Sequence, residues 1–236
     1  MKGIKYLFLL GPLFYIMLSS CSDDKILNQD SLNLDVKKLK IMPLGDSITQ
    51  GIHIDSKNTS YRRDLYKLLK YNNFEFDFVG SMKDGSISDF DKDHEGHGGW
   101  HANQIQDSIY NWLIKNPADI ILLHIGTNDI NKEESPTIII QEINHILSEV
   151  DRYEEKRNVS IKVVLATLIN HLLYIEKTQE LNNYITELVK NRQRNNDLIT
   201  LVDMNKSLDD TKYYLDNVHP NEFGYKKMAE LWLEKI

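Results

Sequence analysis

Five apolar runs punctuate the chain, at Leu39–Leu44, Phe74–Val79, Ile120–Ile125, Ile161–Thr167 and Leu198–Val202. Each is short, rich in β-branched or aromatic residues and bounded by Gly, Asn or Asp, the pattern of a strand. Three are nearly continuous, as suits a sheet buried on both faces. Between the runs, apolar positions take helical spacing. Tyr61, Leu65, Leu68 and Leu69 share one face, as do Ile105, Ile109, Trp112 and Leu113. Ser135-Pro136 supplies a cap and first-turn proline for a third helix with Ile139, Ile143, Ile146, Leu147 and Val150 inward. Leu181, Tyr184, Ile185, Leu188 and Val189 mark a fourth, and Asn221-Glu222 opens a last one carrying Met228, Leu231 and Trp232. Strands alternating with helices predict an α/β fold, a parallel sheet covered by helices on both sides.

The first residues follow a different pattern. Lys2 and Lys5 precede an apolar stretch from Tyr6 to Leu18, and Leu18-Ser19-Ser20-Cys21 follows. The stretch is roughly 13 residues, short of the ~20 that span a bilayer as a helix. A positive start, a short apolar core and small residues before a cleavage point describe a signal peptide over 1–20. Cys21 is the only cysteine, which excludes an internal disulfide. Its position resembles a bacterial lipobox, implying lipidation at Cys21 and a membrane anchor. Residues 21–36 have no apolar periodicity and read as an acidic tether ahead of one domain at 37–236. The expectation is an exported lipoprotein at the outer membrane or cell surface.

Removing residues 1–20 takes away two lysines and leaves 26 basic against 35 acidic residues, a formal charge of −9. Such a body is repelled by phosphate backbones, and no basic stripe offsets it, so nucleic acid is not an expected partner.

Candidate chemistry lies in four separated segments. Gly45-Asp46-Ser47-Ile48-Thr49 follows the first strand, where open α/β sheets bind ligands. Ser47 is the candidate nucleophile. A hydroxyl needs a base to take its proton, and His219 in Asp216-Asn217-Val218-His219-Pro220 is the candidate. Asp216, three residues earlier, can hold the other ring nitrogen. Glu95-Gly96-His97-Gly98-Gly99-Trp100 and Gly126-Thr127-Asn128-Asp129 complete the set, with Asn128 expected at the end of the third strand. No Gly-x-Ser-x-Gly elbow is present, which argues against the α/β-hydrolase fold.

In this order the four segments resemble the blocks of the SGNH (GDSL-type) hydrolase family, from about Lys40 to Ile236. The resemblance implies a three-layer α/β/α fold with a five-stranded flavodoxin-like sheet in the order 2-1-3-4-5. It also implies an oxyanion hole from the Ser47 N–H, a glycine N–H of the second block and the Asn128 side-chain amide. Alignment with the family's Gly-x-x-Gly pattern makes the glycine Gly99, the preferred assignment, whereas a slip of one residue makes it Gly98. Asp46 braces the loop in relatives and is assigned no chemical step.

Within the family, the likeness is to the acetylxylan-esterase type of carbohydrate esterase family three. It rests on Met42–Thr49, Tyr61-Arg62-Arg63-Asp64-Leu65, His94–Trp100 and Asp216–Asn221. It implies an acetylated oligo- or polysaccharide as substrate. Trp100 suits either stacking on a sugar or anchoring its loop. The runner-up is a lysophospholipase or thioesterase of the same family, and a different class is a glycan-binding lipoprotein without turnover.

His94, Glu95, His97 and His101 crowd the second block, but their mixed spacing around glycines matches no regular zinc pattern. They read as a wall beside the site. No metal and no other cofactor is expected. His53, His124, His145 and His171 have no partner pattern and read as packed or surface residues.

Overall fold

The computed structural model describes residues 38–51 and 59–236. The signal peptide, Cys21 and the tether lie outside the described residues, as does His53. Strands β1 (Leu39–Gly45), β2 (Phe76–Phe78), β3 (Met82–Lys83), β4 (Asp93–Gly96), β5 (Ile120–His124), β6 (Lys162–Ala166) and β7 (Ile199–Val202) form one sheet. Its parallel part runs β2 and β4 beside β1, then β5, β6 and β7, and β3 adds an antiparallel edge to β4. The expected α/β fold with its 2-1-3-4-5 order holds, with position two shared by two strands in succession.

A proline in a central strand shows how that sharing works. Ile41 O accepts Val79 N–H at 2.9 Å and Gly45 O accepts His97 N–H at 2.9 Å, so odd residues of β1 face the β2/β4 side. β2 pairs as far as Ile41, and β4 begins to pair at Leu44. Pro43, which has no N–H to donate, falls in the gap between them, where a proline breaks no ladder bond.

The helices are α1 (Ser47–Gln50), α2 (Ser60–Tyr71), α3 (Ala102–Gln106), α4 (Ile109–Lys115), α5 (Thr127–Asn131), α6 (Pro136–Arg157), α7 (Ile175–Arg194), α8 (Met204–Ser207) and α9 (Glu222–Leu233). Met42, Leu44, Ile121, Leu123 and Leu165 pack one sheet face against Ile105, Ile109, Ile143 and Ile185. Ile41, Leu122 and Val164 pack the other against Leu65, Met228 and Trp232. Alternate strand residues thus feed two cores, which makes the three layers.

Three expectations are refined. The helix read through Ile105–Leu113 is two, α3 and α4, and at the break Ser108 Oγ donates to Gln104 O at 2.9 Å. Such back-bonding competes with helix continuation. Asn128 does not end a strand. It sits in the one-turn α5, which starts after Gly126 (φ 119°). β3 and β4 were not apparent in the apolar pattern.

Candidate active site

The first segment is shaped by close approach. A Cβ on Gly45 would lie 2.2 Å from His124 O and 2.6 Å from Thr49 Oγ1, so only glycine lets β1 turn there. Asp46 then caps α1, its Oδ1 accepting Ile48 N–H at 2.9 Å. Asp46 is fully buried, and burial pushes its carboxyl up to about 7, against the lowering effects of Ile48 N–H and His219. Ser47, first residue of α1, keeps its hydroxyl at the sheet's carboxyl edge.

His219 comes from a narrow hairpin before α9. Leu215 N–H donates to His219 O at 2.8 Å and Asn221 N–H to Tyr213 O at 2.8 Å. Asn221 Oδ1 caps α9 through the Phe223 and Gly224 N–H groups. Inside this turn, Asp216 Oδ1 accepts the N–H of Val218 and of His219, both at 2.7 Å. Its Oδ2 lies 2.9 Å from His219 Nδ1, and His219 Nε2 lies 3.0 Å from Ser47 Oγ. Burial pushes the Asp216 carboxyl up, but those two N–H donors and the imidazole outweigh it and hold it below the usual carboxylate range. A charged Asp216 assigns the proton of the free imidazole to Nδ1. Nε2 is then a bare acceptor facing the Ser47 hydroxyl, the arrangement in which a base can take the proton of a nucleophile.

The second segment leaves β4 beside Ser47. Gly96 packs under α1, where a Cβ would come within 2.6 Å of Gln50 N. Gly98 N–H donates to Gln50 Oε1 at 2.8 Å. Gly99 (φ 80°) faces open space, and no acceptor among the described residues takes its N–H. The two glycines left open by sequence alignment are therefore in different states. Asn128 Nδ2 donates to Trp100 O at 2.9 Å, tying the fourth segment to this turn.

Trp100 is half-buried. Its ring lies 4.2 Å from that of His97, which stacks on Trp112 at 4.8 Å. His97 Nε2 also meets the buried Glu95 at 2.8 Å, and Glu95 accepts Ser81 N–H and Ser81 Oγ. Of the two roles open to Trp100, anchoring is visible in these contacts. His94 and His101 point elsewhere, to Asp84 and Asp129 respectively. The second-block histidines therefore do not converge. Among the described residues, His101, Asp129 and Glu134 bring potential ligand atoms within 4.8 Å of one another. There Asp129 Oδ1 accepts Ala102 N–H at 3.1 Å and lies 3.4 Å from His101 Nδ1, contacts that join α5 to the start of α3.

Sequence reasoning gave no role to two residues that the structure places behind Ser47. Arg62, fully buried on α2, donates to the carbonyls of Thr49, Gln50, Asp84 and Lys92. Gln50 bridges α1 to the glycine turn. Their partners are mostly backbone atoms, which leave no residue-type signal.

The chain matches the model of the GDSL-like lipase/acylhydrolase family over residues 41–232. It is 31% identical over 225 residues to a multidomain esterase of Ruminococcus flavefaciens, covering 84% of this chain and 28% of that protein. The chain thus spans little more than a quarter of that relative's length. Among solved structures, a family 3 carbohydrate esterase of Clostridium thermocellum is similar with TM-score 0.70 and 33% identity, over 84% of this chain and 94% of that one. A carbohydrate esterase family 3 structure from Talaromyces cellulolyticus gives TM-score 0.73 at 26% identity, over 84% and 95%. A parallel α/β/α sandwich with Ser, His and Asp in contact at its carboxyl edge defines the class of the SGNH hydrolases. This chain belongs to that family, the GDSL-like lipases and acylhydrolases.

Proposed function

We propose that this protein is a serine esterase that removes O-acetyl groups from a carbohydrate through an acyl-enzyme on Ser47. The observation that carries the reading is the continuous contact Ser47 Oγ–His219 Nε2 at 3.0 Å and His219 Nδ1–Asp216 Oδ2 at 2.9 Å. Ser47 Oγ attacks the acetyl carbonyl as its proton passes to His219 Nε2, and Asp216 stabilises the imidazolium. The oxyanion is held by the N–H groups of Ser47 and Gly99 and by the Asn128 amide. Gly99 is preferred because the Gly98 N–H is already taken by Gln50. Collapse sends the His219 proton to the leaving sugar oxygen and frees the alcohol. Water, deprotonated by His219, then attacks the acetyl-enzyme and releases acetate and Ser47.

The acetyl-carbohydrate part is supported by the family-three relatives and by the stretches His94–Trp100 and Tyr61–Leu65. Two measurements test the reading. A fluorophosphonate should label Ser47 once and leave Ser47→Ala unlabelled. Acetate release from acetylated glycans should exceed hydrolysis of esters with twelve or more acyl carbons. Labelling elsewhere, or a preference for the long acyl chain, overturns it. We further propose that the chain is exported and anchored by lipid at Cys21, a reading carried by its first residues alone. An intact mass showing an unmodified Cys21 overturns that part.

A further inference from the structure

The glycine turn is steered from the nucleophile's own helix. Gly98 and Gly99 are consecutive and, lacking side chains, have many backbone conformations to choose from. Three bonds restrict them. Trp100 N–H returns to His97 O at 3.2 Å, Trp100 O is held by Asn128 Nδ2, and Gly98 N–H is held by Gln50 Oε1 at 2.8 Å. The Gly99 peptide therefore sits between two fixed ones.

Gln50 is itself fixed. Its Nε2 donates to Asp84 Oδ2 at 2.9 Å, and Asp84 Oδ2 lies 3.3 Å from His94 Nε2. His94 Nδ1 faces the Gly96 N–H at 2.9 Å and His94 Nε2 faces the Asp84 N–H at 3.2 Å, so the ring bridges β4 to the Asp84 backbone. Burial, with Arg62 and His97 nearby, pushes this imidazole down to about 2 and keeps it neutral. Gln50 Nε2–H points at the Asp84 carboxylate, and the Gly98 N–H can only donate, so Gln50 Oε1 is its acceptor. The reverse orientation of the carboxamide would set oxygen against carboxylate and NH₂ against N–H, so only one orientation is satisfied. The backbone of Gln50 is held as well, with its N–H on Asp46 O at 3.0 Å and its O on Arg62 Nη2 at 2.9 Å.

We propose that Gln50 is a positioning residue that sets the glycine turn in register with Ser47, so that the Gly99 N–H faces the oxyanion. This rests on the esterase reading. Gln50 lies three residues after the nucleophile and bonds the turn that follows β4, so one side chain links the attacking atom to a stabilising donor. It touches neither substrate nor reacting atoms.

The test is Gln50→Ala in the full-length protein, assayed with 4-nitrophenyl acetate and with a small boronic acid as a tetrahedral mimic. The Gly99 donor would remain but lose its steering. The expected loss of kcat is thus about 10–50-fold, below the ~10²–10³ of an outright donor deletion. KM should stay within about twofold, and boronate affinity should fall in step with kcat/KM. The thermal midpoint should move by no more than about 3 °C, the scale of ~1 kcal/mol in a domain of this size. A kcat within twofold of wild type, or a loss appearing only in KM or matched by a larger fall in stability, overturns the assignment. The two readings fail separately. Wild-type protein that hydrolyses no ester and takes no fluorophosphonate at Ser47 removes the esterase itself. An active, labelled wild type with an equally active Gln50→Ala removes only Gln50.

Discussion

Arg62→Met is the perturbation that probes most directly how the site is held. The guanidinium is fully buried, and burial pushes it down to about 10, so it is still charged at neutral pH. Its Nε reaches Thr49 O at 3.0 Å and Ser60 Oγ at 3.2 Å. Nη1 reaches Asp84 O at 3.2 Å and Lys92 O at 3.1 Å, and Nη2 reaches Gln50 O at 2.9 Å. Methionine keeps the stem's packing and removes every donor. A hydrogen bond from a charged donor contributes about 1.5–3 kcal/mol, and a carbonyl left dry costs about 1–3 kcal/mol. Thr49 O keeps the Ser60 hydroxyl at 2.8 Å but is buried and cannot replace the lost donor with water, whereas Gln50, Asp84 and Lys92 are half-exposed and partly can. Non-additivity among neighbours brings the net loss to roughly 3–5 kcal/mol. That is a large share of the ~5–15 kcal/mol of a typical domain. In urea, with a slope of about 2–3 kcal/mol/M, the midpoint followed by tryptophan fluorescence should fall by about 1–2 M. Arg62→Lys should recover little, because one ammonium cannot reach carbonyls on both sides of the fork. A midpoint for Arg62→Met within about 0.3 M of wild type would refute the reasoning.

Asn128→Ala should lower kcat by roughly 10²–10³ with little change in KM, as expected for a lost oxyanion donor. An unchanged turnover number removes Asn128 from the site. Asp46→Asn should change how stability depends on pH. The Asp46 carboxyl is raised to about 7 in the fold from 3.8 when unfolded, so between those values the folded state binds the extra proton. Stability from this group is therefore lost as pH rises from about 4 to about 7, by up to about 4 kcal/mol at 1.36 kcal/mol per unit. Asn caps α1 as well and does not titrate. The variant's stability relative to wild type, from urea midpoints, should thus rise across that window and level off above it. A constant difference from pH 4 to 8 shows that Asp46 is ionised throughout.

β1, β5 and β6 were legible as nearly continuous apolar runs buried on both faces, and β2 and β7 because aromatic or β-branched residues flank their single polar one. β4 reads Asp-His-Glu-Gly and gave no such cue. Its buried residues are polar and satisfy one another, His94 with Gly96 N–H and Glu95 with Ser81 and His97. A hydrophobicity pattern cannot see a strand buried by hydrogen bonds. Ser47, Asp216 and His219 were legible for the opposite reason, since their residue types in these motifs point to a nucleophile, a base and its partner, and the structure brings the three into contact. Gly98 and Gly99 could not be separated by sequence, because what distinguishes them is which N–H the Gln50 carboxamide holds. Arg62 was visible only as part of a resembling stretch, since its task is to bind carbonyls that every residue possesses.

The placement of these groups explains why the chemistry needs so many remote partners. Ser47 follows β1 and Asn128 follows β5, neighbouring strands paired to their carboxyl ends at the switch in strand order. His219 arrives from the far end of the chain on a hairpin anchored to α9, and the glycine turn arrives from β4. Four segments from separate parts of the chain must hold their reacting atoms to within a fraction of an ångström, because small misplacement costs rate steeply. Three of them carry a backbone-directed side-chain clamp, Arg62 on α1, Gln50 on the glycine turn and Asp216 on the histidine hairpin. Asn128 is tied through its own amide to Trp100 O, so the proposed oxyanion donor and its support are one residue. Changes at Arg62 or Gln50 should therefore act on the chemical step while leaving ester binding nearly intact. Under the proposed oxyanion role, changes at Asn128 should remove donor and clamp together.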